Sequence, residues 1–109
     1  MPKSLRLCVW IGLVGIVLGT SCQKTEQTQL PEETLARIMA DLHLAEAATT
    51  GLSGYRKDSL LYLYYEQIFT LHGVDRSTYE SDLRLLSRNE ERMMRVVERA
   101  EKLLSERAP

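Results

Sequence analysis

The sequence predicts an all-α protein, a small three- to four-helix bundle behind N-terminal segments of different composition. Three observations carry this. From residue 30 onward, apolar residues recur at three- and four-residue spacing. No run alternates with the two-residue period of a strand. The breaks between periodic runs fall on Gly, Ser and Asn, the residues that end or cap helices.

The chain opens differently. Lys3 and Arg6 give a positive start, residues 7–18 are almost wholly apolar, and Gly19, Thr20 and Ser21 are small. This is the three-part plan of an export signal over residues 1–21. Its apolar core of roughly 12 residues falls short of the ~20 that cross a bilayer comfortably. Removal of the signal leaves Cys22 as first residue and sole thiol, because the other cysteine, Cys8, leaves with it. A bare thiol in an oxidising envelope pairs or oxidises; one that carries lipid does neither. "LGTSC" resembles the bacterial lipobox, although Gly19 stands where that pattern has Leu. An ordinary signal peptide cut near Ser21 is the alternative. Acylation at Cys22, palmitate among the usual chains, would anchor the protein to a membrane, each buried methylene contributing about 0.8 kcal/mol. The polar segment QKTEQTQ follows, so residues 22–29 read as acylated Cys and flexible tether. Gln23, not Asp, follows the cysteine, which by analogy points to the outer membrane rather than the inner.

The helical domain is expected over residues 30–109. Pro31 suits a first helical turn, and Glu32 and Glu33 complement the positive end of the dipole. Leu35, Ile38, Met39 and Leu42 continue the first helix until Gly51, Ser53 and Gly54 break it. A second helix is expected from about Arg56 to His72, stopped by Gly73. Asp75 or Ser77 can open a short third, with Ser77 and Glu80 spaced as a capping box, and Tyr79, Leu83 and Leu86 as its buried line. The last helix buries Met93, Val96, Val97, Ala100, Leu103 and Leu104, with Arg92, Arg95 and Arg99 on a solvated back. Ser87 or Asn89 can separate helices three and four; one long helix is the alternative.

Among candidate functional residues, "DLHLAEA" (residues 41–47) is the most informative stretch. At about 100° per residue, Glu46 falls within about 20° of Leu35, in the middle of the apolar stripe. His43 lies at its edge, and Asp41 points nearly opposite to His43. A carboxylate in a core is costly, so Glu46 needs a partner: His43, His72 or the hydroxyl of Tyr62, Tyr64 or Tyr65. One reading is a metal or acid–base site of His43, Glu46 and His72. The commoner outcome for such residues is a polar clamp that fixes helix packing. No HExxH or similar spacing occurs, so no metal, cofactor or catalytic residue is assigned.

The D-x-H-x-x-E pattern of Asp41, His43 and Glu46 recurs with Tyr65, Ile68, Phe69, His72, Gly73 and Val74 behind a lipobox-like start. This combination resembles the small lipoproteins of unknown function found widely in Bacteroidetes-type bacteria. The resemblance covers about residues 30–104. It implies a helical fold and an envelope location, and no activity.

Net charge is −1, from 14 basic and 15 acidic residues, and the arginines interleave with glutamates, so nucleic acid is not an expected partner. The partners expected are a membrane, through the lipid, and another envelope protein. A non-catalytic binding or structural module is the first reading. An apolar-ligand carrier is a further one, favoured if the bundle encloses a cavity.

Overall fold

A computed structural model describes residues 27–108. The expected export signal over 1–21 and the acylated Cys22 lie outside the described residues. Four helices follow one another: α1 Glu32–Ala48, α2 Gly54–His72, α3 Arg76–Leu86 and α4 Glu90–Arg107. There is no strand among the described residues. None of their helices is long and apolar enough to cross a membrane.

The caps decide where each helix stops. Gly73 adopts φ +63°, in the left-handed region that costs an L side chain strain. Its N–H bonds the Thr70 carbonyl at 3.1 Å and the Val74 N–H bonds the Phe69 carbonyl at 3.0 Å, a Schellman closure of α2. Asn89 separates α3 from α4: its side-chain oxygen accepts the Arg92 N–H at 3.2 Å. The last two helices are therefore distinct. The expected capping box of Ser77 does not form. Asp75 takes the N-cap position, without a side-chain bond, and Ser77 falls inside the first turn. Glu80 is engaged elsewhere, accepting from Arg76 Nε at 2.9 Å one turn back. The second helix also starts at Gly54, two residues before the expected Arg56.

α1 is the central element, with α2 and α4 packed on it. Cross-helix pairs give the directions. Glu32 meets Arg95, Glu33 meets Arg99, and Asp41 meets Arg107, so α1 and α4 run parallel. Asp41 meets His72 and Glu46 meets Tyr65, so α2 runs antiparallel to α1. These pairs set α4 along the first part of α1 and α2 along its last part, and Leu35, Ala36, Ile38, Ala40 and Ala45 are all buried. The alanines allow close helix approach. Val96, Ala100 and Leu103 face them from α4, and Tyr79 and Leu86 from α3. Each fully buried Leu, Ile or Val contributes about 1.5–3 kcal/mol. Phe69 is the one buried residue of α2 and lies against Tyr79, centroids 5.5 Å apart and tilted by 56°.

Candidate functional site

α4 ends at Arg107, level with Asp41. That one fact sorts the polar residues of the DLHLAEA stretch. By the cross-helix pairs α4 lies beside α1 as far as Asp41, and residues 42–48 lie beside α2, beyond the end of α4. Glu46 therefore sits on an open flank, its side chain 54% exposed, and not within the core as its phase on the helix suggested. It accepts the Tyr65 hydroxyl at 2.7 Å, and His43 Nδ1 stands 3.7 Å from its other oxygen. Burial, together with the bond to Glu46, pushes the Tyr65 hydroxyl up to about 12. The guanidinium of Arg76 lies over this ring, 5.6 Å from its centroid.

Asp41 occupies the position of greater constraint. His72 Nε2 donates to its Oδ2 at 2.7 Å and Arg107 donates to its Oδ1. Burial raises the Asp41 carboxyl, but the hydrogen bonds of His72 and Arg107 outweigh it, and the net shift is downward. One carboxylate thus joins the C-terminal ends of α2 and α4 to the middle of α1. Both side chains lie in the last turn of their helices, where the dipole favours the Arg107 guanidinium.

The trio His43, Glu46 and His72 is thus divided. His72 belongs with Asp41, while His43 and Glu46 belong with Tyr65. Among the described residues no group of three or more His, Cys, Asp and Glu is placed to hold a metal ion. The opposed directions of Asp41 and His43 agree with their phase: the first is half-buried in a clamp, the second exposed. Tyr62 is exposed and Tyr64 half-buried; neither bonds Glu46.

Two polar constellations were not anticipated. Arg92, Arg95 and Arg99, expected on a solvated back, form a seam to the first turn of α1. Arg92 and Arg95 share Glu32, with contacts of 3.3 and 3.0 Å. Arg99 grips Glu33 with two bonds of 2.8 and 3.0 Å. The Arg99 bond holds the Glu33 carboxyl down at about 2, with help from Arg37. The Arg95 bond, joined by Arg92, also lowers Glu32. The second constellation centres on Asp82, which is fully buried. Its carboxylate accepts the backbone N–H of Gln29 at 2.9 Å and of Leu30 at 2.8 Å. The expected flexible tether to residue 29 is therefore already docked at Gln29. A signal for Asp82 was present: it lies three after Tyr79 and four before Leu86, beside the buried line of its own helix. For Arg107, at the end of the last helix, no local pattern singles out a partner.

A family model described as a domain of unknown function (DUF4296) matches residues 27–108. No curated protein and no solved structure matches the chain.

Proposed function

Given that the chain belongs to the DUF4296 family, which carries no assigned activity, we propose that it is an envelope lipoprotein, anchored through acylated Cys22, whose bundle serves as a non-catalytic binding or support module. The observation that carries the reading is the docking of the chain start. Asp82 holds Gln29 and Leu30, so only residues 23–28 separate Cys22 from the folded body. Fully extended, they reach at most about 20 Å. The anchor then emerges at the N-terminal end of α1, and the α1–α2 turn stands at the other end of that helix, about 25 Å further out. The outer membrane is the proposed location, on the strength of Gln23.

The polar residues support a structural role. Asp41, His72 and Arg107 satisfy one another across three helices, as a clamp does. The intact mass of the mature protein tests the anchor. The expected N-terminus is Cys22 with a diacylglyceryl thioether, and Cys22→Ser should move the protein from the detergent phase to the aqueous one. An unmodified N-terminus with unchanged partitioning would refute it. Density-gradient separation of the two membranes tests the location.

A further inference from the structure

An aromatic stripe runs down α2 at seven-residue spacing: Tyr55, Tyr62 and Phe69. α3 covers only its last member. Phe69 is 6% exposed beneath Tyr79, whereas Tyr62 is 59% and Tyr55 86% exposed. The pairs between α1 and α2 explain the change. From Asp41–His72 to Glu46–Tyr65, five residues of α1 match seven of α2. At that step Tyr62 stands level with the end of α1, and Tyr55 stands beyond it. Leu63, also exposed, widens the stripe, and a shallow cleft of about 440 Å³ lies over Tyr55, Asp58, Ser59, Tyr62 and Leu63.

We infer that the N-terminal half of α2 is a docking face for an amphipathic helix of another protein, with Lys or Arg beside its apolar side. The face runs on from Phe69, where the Tyr79 ring of α3 already packs on the same stripe, so a helix laid along it extends that contact. The two acids nearest Tyr62 favour a basic occupant. Asp58 and Glu66 flank Tyr62 at four residues before and four after, both exposed, within about 40° of it; Arg56 lies one heptad before Leu63, on the far edge of the face, and Lys57 about 140° round the helix. A second copy is a poor fit. A two-fold crossing at Tyr62 sets Asp58 against Glu66 when the helices are antiparallel, and each acid against itself when parallel. Anionic lipid headgroups meet the same acids. A basic-flanked helix meets them with opposite charge, and a guanidinium gains the tyrosine rings as well. Arg76 over Tyr65 is the same pairing at the covered end of the helix.

This inference rests on the binding-module reading, and one experiment separates the two. The full chain is expressed in its native cells with photoreactive benzoyl-phenylalanine in place of Tyr62, and of exposed Glu101 on α4 as control. The expected result is one adduct with a different protein from Tyr62 alone. Its crosslinked peptide should be an amphipathic helix with basic residues beside the apolar ones. The double variant Asp58→Lys, Glu66→Lys should lower the adduct about tenfold, with helical content unchanged by circular dichroism. An adduct of two copies, a lipid adduct, no adduct above control, or an adduct indifferent to the charge reversal would each overturn the inference. Detergent partitioning of the same cells reads the anchor independently. A crosslink from an unacylated protein removes the anchor and keeps the face; an acylated protein without a crosslink does the reverse.

Discussion

The carboxylate of Asp82 and the backbone N–H of Leu30 meet at 2.8 Å across 52 positions of sequence. With the neighbouring Gln29 bond, this contact makes the chain entering α1 part of the folded body. A buried carboxylate is stabilised here by two backbone donors.

Asp82→Ala should therefore cost about 1.5–3 kcal/mol in urea unfolding, since two hydrogen bonds to a charged group are lost. Amide exchange at Gln29 and Leu30 should rise well beyond that of α1. Unchanged protection at these two amides would show that something else holds the segment.

The stripe on α2 supplies an internal comparison. Phe69→Ala removes a ring packed on Tyr79 and should destabilise by about 3–4 kcal/mol. Tyr62→Ala, seven residues earlier on the same stripe, should change stability by less than about 0.5 kcal/mol. Equal losses at the two sites would mean that α2 is covered along its whole length.

The clamp at Asp41 predicts coupling. Asp41→Ala and His72→Ala should each destabilise, and the double variant should lose less than the sum, by about 0.5–1 kcal/mol for a partly exposed pair. A double-mutant cycle by thermal or urea unfolding measures it. Strict additivity would separate the two residues energetically.

Acid should weaken the seam between α1 and α4. The Glu33 carboxyl is lowered from 4.5 to about 2 by the Arg99 bond. A carboxyl with a depressed folded value contributes stability that is complete above its unfolded value and lost as pH falls through the folded one. The loss attributable to Glu33 should thus fall between pH 4.5 and about 2. Glu33→Gln should flatten the thermal midpoint in that window and leave the slope above pH 5.5, well over the ordinary Glu value, unaltered. An identical acid profile in both proteins would assign the sensitivity to other groups.

Gly73→Ala tests the closure of α2. The left-handed φ of +63° costs a side chain about 1–2 kcal/mol, and the space around the position is open, so strain alone should appear. A neutral result would indicate that the turn rearranges.

Most helix positions and the stop at Gly73 were legible in the residues themselves, and Asn89 was one of two candidates for the last cap. They depend on interactions that reach no further than one turn. Periodicity also located Leu35, Ile38, Val96 and Leu103 in the core, because a stripe facing any neighbour is buried whichever neighbour it is. What periodicity cannot say is where that neighbour stops. Glu46 has the phase of a core residue and is half-exposed, because α4 ends opposite Asp41. Tyr62 shares a stripe with Phe69 and is bare, because α3 reaches only the latter. The cross-helix and long-range partners of Asp41, Glu33 and Asp82 lie 31 to 66 positions away. A charge on a helix faces an angle, and only the packed bundle decides which group stands there.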